Sequence, residues 1–139
     1  MNKIVEALKN AGVFFLATID GEQSRVRPFG AVEEIDGKIC LITSNKKDVF
    51  KQIMAHPCVE MSGMNKDGSW IRVSGKLVRL EGDAVAAKFL DLEPDLKRMY
   101  SAGDGNIEIL ELTQAKGTLY TFTGAPQAIE AACVSEQKT

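Results

Sequence analysis

Two Asp-Gly pairs, Asp20-Gly21 and Asp36-Gly37, punctuate the N-terminal part of the chain and limit its fold more than any other feature. Asp-Gly suits the positive-φ central positions of a two-residue hairpin turn, and such a turn joins antiparallel strands. The flanking runs agree: VFFLATI (13–19), RVRPFGAVEEI (25–35) and KICLIT (38–43) are rich in β-branched, aromatic and other apolar residues. The spacing predicts a three-stranded antiparallel meander. Neither GxGxxG nor GxxxxGK[ST] occurs, and strands this close leave no room for helical crossovers, so Rossmann and P-loop readings fail.

The rest of the chain continues in the same style. Ile4, Val5 and Leu8 at helical spacing, stopped by Gly12, predict a helix over 3–10. DVFKQIMAH (48–56) places Val49, Phe50, Ile53 and Met54 on one side and ends at Pro57, which predicts a second helix. CVEMSGM (58–64) and SWIRVSGKLVRLEG (69–82) read as another hairpin, with Gly75 marking a bulge or bend. Residues 83–92 are helical in pattern, 94–100 form a short helical piece, and 107–113 and 117–124 are the last strands. Six or seven antiparallel strands with short helices predict a mainly β chain, closed as a barrel so that few edges are exposed. One domain over 1–124 and a flexible tail over 125–139 are expected.

Charge and cysteine usage exclude several functions. Seventeen basic and nineteen acidic residues give a net charge of −2, so no overall field concentrates nucleic acid or anionic membrane. An oligonucleotide-binding barrel would need a basic groove interleaved with aromatics, and the chain has six Phe, two Tyr and one Trp. No apolar run approaches the roughly 20 residues of a membrane span, and MNKIVEALKNAG is amphipathic and unlike a signal peptide. Cys40, Cys58 and Cys133 are odd in number and widely spaced, which supports neither a disulfide framework nor a metal site. A cytoplasmic protein is expected.

The stretch CLITSNKKD (40–48) sets Thr43, Ser44, Lys46 and Lys47 at the start of the second helix. Hydroxyls, cations and a helix N-terminus together suit a phosphate, although lysine-bearing loops are also ordinary solvated surface. RVRPF adds Arg27: alternation puts Arg25, Arg27 and Phe29 on one face of their strand. A hairpin centred on Asp36-Gly37 would bring 29–31 opposite 42–44 and Arg27 within reach of the hydroxyls. An exposed strand edge is the alternative. His56, the sole histidine, stands before Pro57 at a helix end and reads as structural. No Ser-His-Asp or Cys-His set is available, so no catalytic residue is assigned.

RVRPFGAV, LITSNKK, a short helix ending in HP, VE and then WIRVSGK, in this order, resemble the short members of the pyridoxamine phosphate oxidase-like superfamily of FMN-binding split barrels. The resemblance spans roughly residues 5 to 123. It implies a homodimer with FMN at the subunit interface. Arg27 would contact the phosphate on a strand, with Pro28 and Phe29, that flanks the ring; Ile42, Thr43 and Ser44 would follow on the paired strand, and Lys46 and Lys47 would match the family's basic pair. Trp70 stands where the oxidases have a glutamine near the flavin, with Arg72 further along the same face; Trp70 reads equally as a core or interface residue. The oxidases also carry a C-terminal extension with substrate-binding Arg and His residues. Nothing similar follows Phe122, which implies a substrate other than pyridoxamine phosphate.

Two classes of function follow from the resemblance. One is a flavoprotein oxidoreductase in which FMN carries the electron chemistry. The other is a binding module without turnover, holding flavin, a deazaflavin or haem, for which His56 would be the available axial imidazole.

Overall fold

The computed structural model describes residues 2–130. Its elements are α1 (Lys3–Ala11), β1 (Phe14–Asp20), β2 (Gln23–Phe29), β3 (Glu33–Ile35), β4 (Lys38–Ser44), α2 (Asp48–Ala55), β5 (Cys58–Met64), β6 (Trp70–Leu80), α3 (Asp83–Leu92), a 3-10 helix (Pro94–Arg98), β7 (Ile107–Tyr120) and β8 (Gln127–Ile129). All strands join one antiparallel sheet in the order β2-β1-β5-β6-β7-β4-β3, with β8 also on β7. This is the split-barrel architecture expected, with eight strands where six or seven were predicted.

Both hairpins form: Asp36 and Gly37 are the central pair of the second, with φ of 52° and 78°, whereas in the first Asp20 pairs with Gln23 and the turn falls on Gly21 (φ 61°) and Glu22. The strand expected over 25–35, however, is two strands. Pro28 has no N–H to donate and β2 keeps its ladder with β1, pairing Phe14 with Phe29 and Leu16 with Arg27. The chain then leaves the sheet at residues 30–32, and only the three residues of β3 pair with β4, Glu33 opposite Cys40. The predicted pairing of 29–31 with 42–44 therefore does not occur. On its other side β4 pairs with β7 through Ser44, so the Leu41–Ser44 stretch faces a gap beyond the end of β3. That gap is the split in the barrel.

The apolar run ICLI (39–42) has a physical reason. Ile39 and Leu41 enter the main core with Ile4, Leu8, Phe14, Leu16 and Leu110, while Cys40 and Ile42 pack against α3 with Phe89, Leu90 and Tyr100. A strand buried on both faces has no polar side to alternate with. Burial also pushes the Cys40 thiol up to about 11, so the fully buried Cys40 is a packing residue. Cys58 is exposed and free; Cys133 lies outside the described residues.

The late strands differ from expectation at two points. Residues 107–120 form one strand, because a bulge absorbs the irregularity: Ser74 pairs with Lys116 and Lys76 with Thr113, so Gly75 alone faces Gln114 and Ala115. The extra residue sits on β7, with Gln114 at φ 52°, opposite the glycine that signalled it. Beyond Phe122, β8 pairs Gln127 with Leu119 and Ile129 with Gly117, so part of the expected flexible tail is a strand; Ile129 packs on the core. No helix among the described residues is long and apolar enough to cross a membrane.

Candidate functional site

The split holds a cavity of about 370 Å³, within the size range of small-molecule sites. One wall is the end of β2 and the segment after it, Arg27 to Ala31; a second is Ile42 and Thr43 of β4 with Lys47 and Val49 at the start of α2. The third wall is Glu93, Asp95, Leu96, Met99 and Tyr100, from and around the 3-10 helix. Six of the residues singled out in the sequence thus meet here, although the hairpin register expected to unite them does not form. The open seam unites them instead.

Arg27 reaches the cavity because its partner in the ladder is Leu16, a residue of the core face. Paired residues share a face, so the guanidinium projects into the barrel end. There Nη1 donates to Leu16 O (3.2 Å) and Thr18 Oγ1 (2.6 Å), and Nη2 donates to Gln52 Oε1 (2.6 Å). The Thr18 hydroxyl in turn donates to Gln52 Oε1 at 2.6 Å. Every one of these acceptors is neutral. Burial, and secondarily the nearby charge of Arg25, draw the Arg27 guanidinium below its ordinary value. Arg25, on the same face opposite Thr18 but nearer the exposed end of the hairpin, pairs with Asp20 at 3.0 Å. Arg27 is accordingly a half-buried cation with no carboxylate bound to it among the described residues, an arrangement that favours an anion from outside.

Thr43 supplies the second observation. It is 2% exposed, and its Oγ1 is buried without a hydrogen-bond partner among the described residues. An orphaned buried hydroxyl costs roughly 1 to 3 kcal/mol, and Thr43 is one of the residues around the cavity. The neighbouring loop is held rigidly: Ser44 Oγ accepts the Lys46 N–H (3.2 Å), Ser44 O accepts the Lys47 N–H (3.1 Å), and Asn45 Nδ2 donates to Glu108 (2.9 Å). Ser44 and Lys46 therefore shape the loop without lining the cavity. Lys47 lines it, and as the N-cap of α2 makes no side-chain capping bond. Phe29 packs on the core beside Phe14, ring centroids 6.3 Å apart, and Pro28 stands at the rim.

The opposite wall is acidic. Glu33, 6% exposed, accepts from Lys9 Nζ at 2.8 Å, and a hydrogen bond with Glu33, then burial, then the charge of Glu33 push the Glu93 carboxyl up to about 7. Glu93 thus keeps its proton in the folded chain at pH values where the unfolded chain has lost it. That stability is fully present below the ordinary glutamate value and is lost as pH rises toward about 7. The thermal midpoint is expected to fall between about pH 5 and about pH 8, and Glu93→Gln to flatten this fall in calorimetric scans.

Trp70 and Arg72 lie elsewhere. The register places Trp70 opposite Met64 and Tyr120, and Arg72 opposite Ser62 and Thr118, on the outward face of the sheet. Trp70 stacks on Tyr120 (5.5 Å, 10°) and meets Phe122 at 5.0 Å; Arg72 lies over Tyr120 and pairs with Glu60 at 2.8 Å. Within one chain they do not meet Arg27. His56 is the exposed C-cap of α2 and does not line the cavity. Among the described residues no three His, Cys, Asp or Glu side chains converge as metal ligands. Thr18, Gln52 and Glu93 are the residues the sequence reading missed. Gln52 alone left a trace, as a polar residue within the apolar Val49 and Ile53 stripe of α2.

Comparisons with known proteins agree with this architecture. The sequence model of the family described as pyridoxamine 5'-phosphate oxidase matches residues 1–120. A crystal structure of a NimC/NimA family protein from Clostridium acetobutylicum is 44% identical, with a TM-score of 0.88 over 91% of this chain and 88% of that one. A pyridoxamine 5'-phosphate oxidase-related, FMN-binding protein from Nostoc punctiforme shares the fold at 15% identity (TM-score 0.58, 91% and 94% covered). So does a haem-binding protein from Mycobacterium smegmatis, at 16% identity (TM-score 0.73, 94% and 57% covered). No curated protein matches. A family match over nearly the whole barrel and a 44% identical structure leave one assignment: the chain belongs to the pyridoxamine 5'-phosphate oxidase family.

Proposed function

We propose that the protein is an FMN-binding oxidoreductase that works as a homodimer. The observation that carries this reading is the seam cavity itself, lined both by an arginine cation held by neutral acceptors and by a threonine whose buried hydroxyl is orphaned. A flavin phosphate satisfies both needs, with Arg27 as the principal cation and Lys47 as an outer one. Thr43 donates its hydroxyl, and Pro28, Phe29 and Ile42 form apolar walls for a planar ring. Bound flavin would supply the electron chemistry, so the polypeptide has only to anchor, orient and exclude water.

The outward face of β2, β1, β5, β6 and β7 supports the dimer. Val26 is 67% exposed, Met64 64%, Phe15 50% and Phe122 83%, beside the Trp70 and Tyr120 stack. Several large apolar side chains exposed on one sheet face, with the ion pair of Arg72 and Glu60 among them, are characteristic of an interface. A partner seated there would bring Trp70 and Arg72 toward the other subunit's flavin, which accounts for their absence from the cavity of their own chain. The exposed position of His56 outside the cavity favours flavin over haem.

The visible absorption spectrum of the purified protein, with chromatography of whatever it releases on denaturation, tests this reading. A yellow protein that releases FMN is expected. A colourless protein that does not bind added FMN overturns it, and release of FAD or a deazaflavin replaces the ligand. A further expectation separates the two lysines. Lys47→Ala should weaken FMN binding by about 1 to 2 kcal/mol and Lys46→Ala by less than about 0.5 kcal/mol in fluorescence titration.

A further inference from the structure

Arg27 has five N–H donors, and three are taken by Leu16 O, Thr18 Oγ1 and Gln52 Oε1. Both Nη1 hydrogens and one Nη2 hydrogen are therefore committed. What remains is Nε–H and the other Nη2–H, which lie side by side on one edge of the planar group. That edge is a fork able to grip two oxygens of one phosphate. Gln52 and Thr18 occupy the end of the guanidinium, and by doing so they fix which edge is left.

The choice of glutamine is informative. A glutamate at position 52 would accept the same two hydrogen bonds and form an ion pair, holding Arg27 more tightly but cancelling its charge. Glutamine orients the cation and leaves the charge for a ligand. The geometry is relayed through Thr18, 2% exposed, whose hydroxyl accepts from Arg27 and donates to Gln52. Helix α2 thus sets the angle of an arginine on β2 through a threonine on β1.

We infer that Gln52 is a positioning residue that, with Thr18, presents the free fork of Arg27 to the flavin phosphate and so determines selectivity for phosphorylated flavin over riboflavin. This rests on the flavin reading above. A purely structural tie between α2 and the sheet would affect both flavins alike, whereas a positioning role acts on the phosphate only.

The test is equilibrium titration of the full chain, freed of bound flavin, with FMN and with riboflavin. Gln52→Met, of similar length without an acceptor, is expected to lower FMN affinity about ten-fold while riboflavin affinity stays within about two-fold. Gln52→Glu is expected to lower FMN affinity at least as much while the thermal midpoint holds or rises. An unchanged ratio of the two affinities in both variants, or a parallel loss of both flavins, overturns the inference while the wild-type FMN binding keeps the flavin reading intact. Wild-type protein that binds neither flavin overturns both.

Discussion

Arg27→Ala is expected to lower FMN affinity by roughly 3 kcal/mol, about two orders of magnitude, with little change for riboflavin. The cation contributes two free donors and an uncompensated charge in a half-buried setting, where each is worth more than at the surface. Its removal also leaves Gln52 Oε1 and Thr18 Oγ1 to each other, an arrangement already bonded at 2.6 Å, so the fold loses little. Isothermal titration of the two flavins against wild type and variant measures this. Equal FMN affinity in both proteins would place the phosphate elsewhere. Arg27→Lys should rescue only a part, because a point charge cannot hold three neutral acceptors and still offer a fork.

The largest expected stability effect lies at the bulge. A Cβ on Gly75 would stand 2.6 Å from Thr113 O and 2.8 Å from Leu112 Cδ1, and the first of these is backbone that the bulge has already fixed. Gly75→Val is expected to cost roughly 3 kcal/mol, read as a lowered urea midpoint at unchanged slope. A midpoint equal to that of wild type would mean that β6 and β7 can slide apart at no cost.

How much of this was legible depends on the range of the forces involved. The two hairpin turns are local chemistry; the second forms on Asp36-Gly37 as read, and the first forms one residue later, on Gly21-Glu22. Gly75 was legible as an anomaly, yet the extra residue lies on its partner strand, because a bulge is a property of a pair and a sequence shows one strand at a time. The fate of 25–35 was set by competition: β2 has a better ladder on β1, and Pro28 followed by Gly30 lets the chain depart before it meets β4. Arg27, Thr43 and Lys47 were picked by residue type and they do converge, by a route the hairpin argument did not foresee. Glu93 gave no signal at all. Its surroundings come from Glu33 and Lys9, sixty and more residues away in the chain, and only the closed structure creates them.

The open seam has one more consequence. Strands β6 and β7 are paired along both edges, whereas β2 and β3, on either side of the seam, have a single neighbour each. The cooperative centre of the fold is therefore remote from the place where a ligand would sit, and local opening should begin at the seam. Exposed residues at its rim, such as Pro28, can be exchanged with little penalty to folding, whereas Ile42 and Val49 belong to the core as well as to the cavity wall. At that rim, an architecture of this kind uncouples evolvability of the ligand from persistence of the fold.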